Sequence, residues 1–296
     1  MIYQDPLAYL LGLEGLALLD AWAGDHDRDF VETRLAEIRQ LLDDEKLQNC
    51  GVLAERVSSV TAYQQRSTSY DAEAGGGLFT LDEPVVAEYL DGRAPGAALD
   101  AACRTGRFAE FLAQRGHQVI GVDSSPDMLR HARQRVPTGE FHLGELDRLP
   151  LPDDSVDVVV CALALVHVPR LEPVLAEFAR VLRPGGDLVI SDVHHDLVTR
   201  GSVITARGPA GEPCLVDTYR HQLGDYLRAA LSVGFQVKRC EEPGAVRASG
   251  PPPEPATDIS DWNDWPWALM DYLPSVTRAT SGYPALVIWH FQLPTA

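Results

Sequence analysis

Between residues 82 and 242, short apolar runs alternate with stretches in which apolar residues recur at helical spacing. Runs this short and this apolar are typical of strands buried on both faces. The predicted strands are 97–101, 118–122, 140–143, 156–162 and 188–191. The predicted helices are 105–115, 126–136 and 171–182. The alternation predicts an α/β fold in which helices cover both faces of a parallel sheet.

Three further segments differ from this core, which we place at 61–242. Residues 1–60 have apolar positions near a 3.6-residue period, which predicts a helical hairpin that serves as a lid or a dimerisation surface. Residues 243–283 are rich in proline and then in tryptophan, which predicts an insertion on the substrate side. Residues 284–296 include a β-rich run that closes the sheet.

The composition narrows the possible partners. The 296 residues include 43 acidic and 25 basic side chains, for a net charge of −18. Such a charge argues against nucleic acid or an anionic membrane as partner, because both require a basic surface. No apolar run approaches the about 18 residues of a spanning helix, and the first ten residues lack a basic signal region. Five scattered cysteines indicate free thiols, so we expect a cytoplasmic protein.

Two acidic residues lie at the carboxyl ends of the first two predicted strands. Asp100 ends the first, and the small-residue turn 102–106 comes before the next helix. Such a turn lets backbone N–H groups approach a ligand at the helix N-terminus. Asp123 ends the second strand, where a carboxylate can accept hydrogen bonds from two ribose hydroxyls.

Together with 144–150, 155–160 and 182–186, these motifs resemble those of the class I S-adenosylmethionine-dependent methyltransferases. The resemblance covers residues 60–242 and the closing strand. It implies a Rossmann-like sheet of seven strands, six parallel and the last antiparallel. It also implies S-adenosylmethionine as the cofactor and methyl transfer as the activity.

The resemblance further implies the cofactor ligands, which are grouped here by the part that they contact. The methionine part faces Asp100, Ala102, Cys103, Arg104 and Gly106, and the transferring methyl faces Cys161 and Ala162. The ribose is bound by Asp123, and the adenine by Ser124, Met128, Glu145 and Leu146.

One turn departs from the family pattern Asp-x-Gly-x-Gly-x-Gly. Ala102 and Arg104 stand at two of its glycine positions. Arg104 could pair with the cofactor carboxylate, could weaken cofactor binding, or could mark a protein that catalyses a step other than methylation, such as a cyclisation. We expect Arg104→Gly to raise cofactor affinity, because glycine allows closer backbone approach.

Four residues are candidates for catalysis. Tyr63 and Tyr70 are spaced like a Tyr…Tyr-Asp segment of small-molecule methyltransferases, which implies Tyr70 near the sulfonium and Tyr63 near the acceptor. Packing on the core is the alternative for both. His167 and His194 follow two predicted strands and could act as general bases. A metal bound by 194–196 is not predicted, because adjacent histidines on an extended chain point opposite ways.

The substrate pocket is assigned to aromatic residues. Trp262, Trp265 and Trp267 could form flat walls for a planar acceptor or could anchor the long loop, and His290 could line the same pocket. We therefore predict methyl transfer to a small, aromatic, indole-like acceptor in specialised metabolism, with C-methylation first and O- or N-methylation next. A homodimer through the N-terminal helices is the predicted assembly.

Overall fold

The computed structural model describes residues 1–66, 78–208, 210–244 and 252–295, without the side chains of 63–66. These residues form two units, and strands are numbered along the chain. The smaller unit comprises Met1–Ser58, Asp196–Asp217 and Gly244–Pro284. The larger unit comprises Ser59–His195, Thr218–Pro243 and Ala285–Ala296.

A seven-stranded sheet forms the centre of the larger unit. Its strands are β3 (Ala97–Ala101), β4 (Gln118–Asp123), β5 (Glu140–Leu143), β6 (Val156–Ala162), β7 (Leu182–Val193), β10 (Gln236–Glu241) and β11 (Leu286–Gln292). Their spatial order is β10-β11-β7-β6-β3-β4-β5. Only β11 in this sheet runs antiparallel to its neighbours. The predicted sheet of six parallel strands and one antiparallel strand is confirmed.

Helices pack on both faces of this sheet. They are Ser59–Arg66, Phe79–Leu90, Arg107–Gln114, Pro126–Arg135, Leu171–Val181 and Leu223–Ser232, with a 3-10 turn at Leu165–His167. Alternate residues of β3 face opposite cores: Leu99 packs in the core that contains Phe178, and Ala98 in the core that contains Phe108. The apolar runs are therefore uniform because both faces of the sheet are buried.

The smaller unit combines helices with a second sheet. Its four strands are β1 (Ile2–Gln4), β2 (Val52–Val57), β8 (Thr205–Arg207) and β9 (Pro213–Val216), in the order β1-β2-β9-β8. Its helical segments are Pro6–Ala23, Arg28–Asp43, Glu45–Leu47, Trp262–Asp264, Trp267–Tyr272 and Pro274–Ala279. The short helix His195–Thr199 begins just after β7. Residues 196–217, which the sequence-based division placed in the core, belong to the smaller unit because β9 pairs in parallel with β2.

The helix Pro6–Ala23 corrects the expectation that no apolar run approaches the length of a membrane-spanning helix. Its 18 residues are long and apolar enough to cross a membrane by length and composition, and it is the one described helix that meets both criteria. Glu14 in its middle is buried and lies 3.4 Å from Arg34 of the following helix. Burial raises the pKa of Glu14 to about 8, although Arg34 acts in the opposite direction.

Candidate functional site

The turn after β3 keeps a glycine-like backbone without two of the expected glycines. Ala102 and Arg104 have φ of 57° and 50°, and Gly106 has φ of 87°. This left-handed region costs a non-glycine residue roughly 1–2 kcal/mol. Asp100 contacts the helix that follows the turn, because its buried carboxylate accepts the N–H of Ala109, in the first turn of Arg107–Gln114, at 2.7 Å. Burial raises the pKa of Asp100 to about 7.

Asp123 joins this turn to the end of β4. Its carboxylate accepts the N–H of Arg104 and the N–H of Ser125, each at 2.8 Å. The side chain is 7% exposed, and burial raises the pKa of Asp123 above its ordinary value while these N–H groups act against the rise. A carboxylate has about four acceptor sites, so Asp123 keeps some acceptor capacity beyond these two bonds.

A cavity of about 330 Å³ opens at the carboxyl ends of these strands. Eight residues predicted to bind cofactor or to act in catalysis line it: Ala102, Arg104, Asp123, Ser124, Met128, Glu145, Leu146 and His167. This is the edge at which parallel α/β sheets bind ligands. The volume lies in the range of small-molecule sites.

The side chain of Arg104 crosses from the β3 turn to the end of β6. Its guanidinium donates a hydrogen bond to the carbonyl of Leu163. Leu163 is itself left-handed, with φ of 53°, and its N–H donates to the carbonyl of Ser191 at 2.6 Å. Two left-handed non-glycine residues, Ala102 and Arg104, therefore line the cavity, and a third, Leu163, contacts Arg104. Strain of this kind clusters at functional sites.

Comparison with known proteins identifies the region that carries this site. Residues 99–190 match the family described as a methyltransferase domain. Residues 99–190 therefore form a methyltransferase domain. A crystal structure of an S-adenosylmethionine-dependent methyltransferase from Mesorhizobium loti shares its fold, with a TM-score of 0.52 and 20% identity over 73% of this chain and 100% of that one.

Two curated relatives extend the comparison. A malonyl-(acyl-carrier protein) O-methyltransferase from Serratia marcescens is 36% identical over 137 residues, which are 44% of this chain and 51% of that protein. Methyltransferase GfsG from Streptomyces halstedii is 32% identical over 183 residues, which are 58% of this chain and 64% of that protein. The chain therefore spans between half and two thirds of the length of these relatives.

S-adenosylmethionine is the cofactor of this class, and the residues of the methyltransferase domain fit it. Asp123 lines the cavity and keeps acceptor capacity that suits the hydroxyls of a ribose. Met128, Leu146 and Val168 give the same cavity apolar surface for a purine, and Glu145 adds an acceptor for its amino group. Arg104 supplies a cation at the end near Leu163.

Five predicted cofactor residues of the methyltransferase domain lie outside the lining of the cavity: Asp100, Cys103, Gly106, Cys161 and Ala162. Cys103 ties the turn to β4 through its N–H, which donates to the carbonyl of Val122 at 2.9 Å. Burial raises the pKa of Cys103 and of Cys161, so both thiols stay protonated. Gly106 has no room for a side chain, because a Cβ would lie 3.2 Å from Ala132.

The candidate bases have different surroundings. His167 lines the cavity. His194 is buried, and its Nε2 lies 2.9 Å from Oε1 of Glu242. The rings of His194 and His195 are 4.3 Å apart, so the expectation that they point opposite ways is wrong. The helix that begins at His195 breaks the extended chain assumed there. The side chain of Tyr63 and the whole of Tyr70 lie outside the described residues.

The predicted substrate residues have structural partners. Trp262 and Trp265 are buried in the core of the smaller unit, where their indole N–H groups donate to Gln4 Oε1 and to the carbonyl of Ile259, each at 2.9 Å. Trp267 is half exposed. His290 Nε2 lies 2.9 Å from Asp187 Oδ1, in the middle of β7, and His290 is not among the residues that line the cavity. Burial lowers the pKa of His290 to about 4.

Sequence reasoning missed part of the cavity wall: Ser59, Val60, Ser125, Gly144, Asp147, Ala164, Val168, Pro169, Arg170, Pro173 and Val174. Most of these residues follow β6 or begin the next helix. The stretch 162–168, which is apolar except for His167, was the available indication, because a strand that ends before such a stretch leaves some of its residues to face a ligand.

Proposed function

We propose that this chain is an S-adenosylmethionine-dependent methyltransferase that modifies a small organic acceptor in specialised metabolism. The observation that carries the proposal is the placement of Asp123. Its buried carboxylate fixes the β3 turn through one N–H and still faces the cavity with acceptor capacity. A buried acid that also lines a cavity supports a ligand-binding role, because burial of a charge is costly and packing alone does not require it.

The cofactor supplies a methyl group activated by a sulfonium. The chain contributes mainly alignment, since the ribose site and the turn fix one reactant. His167 lines the cavity and is the predicted base with the strongest support for acceptors that lose a proton. Tyr63, Tyr70 and His194 remain predictions.

We propose both a general class of acceptor and a specific acceptor chemistry. A small molecule is the general proposal, and C-methylation of an indole-like ring is the first specific one. The burial of Trp262 and Trp265 in a core removes much of the support for aromatic walls. O-methylation, the activity in the name of the Serratia marcescens relative, and N-methylation are therefore tested beside it.

The test combines binding with transfer. The full chain is titrated with S-adenosylmethionine and S-adenosylhomocysteine, and then incubated with methyl-labelled cofactor and separate panels of indoles, carboxylic acids, phenols and amines. Binding of both nucleosides with label in one panel supports the proposal. Binding without transfer to any panel favours a non-methylating step. Absence of binding contradicts the proposal.

The assembly proposed is a homodimer through the N-terminal helices. Leu19, Trp22 and Leu42 are exposed apolar side chains on these helices, and Trp22 is 91% exposed. Exposed apolar surface of this kind marks interaction sites. Light scattering should give twice the chain mass, and Trp22→Glu should give the single mass. A monomer in the unaltered protein at all concentrations contradicts this proposal.

A further inference from the structure

The turn after β6 forms part of the cavity wall and carries the candidate base. Leu165–His167 is a 3-10 turn, and His167 and Val168 line the cavity. Leu165 and Val166 in the same turn are buried. Buried backbone groups require hydrogen-bond partners, so the position of the turn depends on the groups that bind its carbonyls.

Three carbonyls of this turn are bound by one short segment, which begins at Tyr219 and ends at His221. The N–H of Tyr219 donates to the carbonyl of Val166 at 2.7 Å. The Nε2 of His221 lies 3.1 Å from the carbonyl oxygen of Leu165 and 2.7 Å from that of Val168. A carbonyl oxygen only accepts hydrogen bonds, so His221 carries a hydrogen on Nε2 and shares it between these two carbonyls.

The orientation of His221 is fixed by the helix that follows it. The helix Leu223–Ser232 has Gln222 as its N-cap, and Asp225 accepts the N–H of Gln222 at 2.9 Å. The ring of His221 packs edge-on against Tyr226, with ring centroids 6.0 Å apart. A contact between the residue before the N-cap and the fourth residue of the helix is the arrangement of a hydrophobic staple, which fixes the angle at which the chain enters the helix.

We propose that His221 is a positioning residue for methyl transfer, because it holds the turn that places His167 and Val168 in the cavity. The inference rests on the proposed function, in which His167 is the base and Val168 is part of the apolar surface for the purine. His221 is not among the described residues that line the cavity, so it acts through the turn. A displacement of about 1 Å at a reacting group can lower turnover about 100-fold, so a contact made outside the cavity can still govern the rate.

Two amide variants separate the reach of this side chain from its polarity. In His221→Gln the amide nitrogen lies near the position of Nε2 and can donate to the carbonyls, whereas the shorter amide of His221→Asn ends near the position of Nδ1. The matched control is His142→Asn. The Nε2 of His142 also has a partner, Oε1 of Glu140 at 3.0 Å, but this pair lies on β5 and outside the lining of the cavity.

Three measurements are made on the full chain and each variant: backbone hydrogen exchange of residues 164–168, titration with S-adenosylhomocysteine, and turnover with an acceptor found in the panels. His221→Asn should speed exchange at the amides of His167 and Val168 by about 10-fold, because these amides close the turn. Nucleoside affinity should fall about 3- to 10-fold and kcat about 10- to 100-fold. His221→Gln should return all three values to within about threefold of the unaltered chain, and His142→Asn should leave them unchanged.

Unchanged exchange at 164–168 in folded His221→Asn overturns the inference, and so does faster exchange with unchanged affinity and turnover. Equal losses in His221→Gln and His221→Asn also overturn it, because the donated hydrogen bond would then not be the cause. If the unaltered chain binds neither S-adenosylmethionine nor S-adenosylhomocysteine, the proposed function fails, and the role of His221 in methyl transfer fails with it. Failure of the inference alone leaves nucleoside binding by the unaltered chain intact.

Discussion

Asp123 and Asp192 are both buried acids at the carboxyl ends of strands in one sheet, yet their surroundings differ. Asp123 ends β4, accepts two backbone N–H groups and lines the cavity. Asp192 lies near the end of β7, is fully buried and accepts the Tyr226 hydroxyl at 2.6 Å. Its Oδ1 has no hydrogen-bond partner among the described residues.

We propose that the difference separates a ligand-binding acid, Asp123, from an internal one, Asp192. Asp123 is stabilised by two backbone N–H groups and also lines the cavity. Asp192 is enclosed, so burial raises its pKa to about 6, against the effect of the Tyr226 hydroxyl. An acid at the end of a strand therefore indicates a cofactor site only when the following turn supplies N–H donors and leaves a cavity.

The largest effect should come from Asp123→Ala. It removes two charge-assisted hydrogen bonds to the ribose, each worth about 1.5–3 kcal/mol, so affinity for S-adenosylhomocysteine should fall at least about 100-fold. Asp192→Asn should leave this affinity within about threefold. Calorimetric titration of both folded variants makes the comparison. An unchanged affinity in folded Asp123→Ala would remove the ribose assignment.

The next largest effect is on the pH dependence of the unfolding free energy, and it comes from Asp192. Asp192 has a pKa of about 6 in the folded state and about 3.9 when unfolded, so the folded state binds more protons between these values. Its contribution is therefore favourable at low pH and is lost as the pH rises from 4 to 6, by up to roughly 3 kcal/mol.

Asp192→Asn removes that titration. From pH 4 to pH 7, the unfolding free energy of Asp192→Asn relative to the unaltered chain should rise by up to roughly 3 kcal/mol. Denaturant unfolding at a series of pH values measures it. Parallel curves for the two proteins would show that Asp192 titrates normally.

The sheet of the larger unit could be predicted, and that of the smaller unit could not. β6 is apolar at every position except Asp157 and is buried along nearly its whole length, so the run itself marks the strand. In β2 only Ala54 is buried, and its parallel partner β9 is about 160 residues away. Local pattern carries no information about such a pairing.

The site could be predicted where motif and backbone geometry coincide, as at Asp123. It could not be predicted where a residue type has two equally common roles. Trp262 and Trp265 suit a substrate wall and a core equally well, and their partners Gln4 and Ile259 appear only in the folded unit. The relative orientation of the His194 and His195 rings depends on the helix that begins at His195, and no capping residue in the sequence indicates that start.

The smallest expected effect tests the turn that Asp123 holds. Ala102 has φ of 57°, a conformation in which alanine is strained and glycine is not. Ala102→Gly should raise the free energy of unfolding by up to about 1 kcal/mol, because relief of strain exceeds the entropy that glycine adds to the unfolded chain. The control is Ala101→Gly, a buried β3 residue outside the left-handed region, which should lose stability. If both substitutions destabilise the protein equally, the left-handed turn stores no strain.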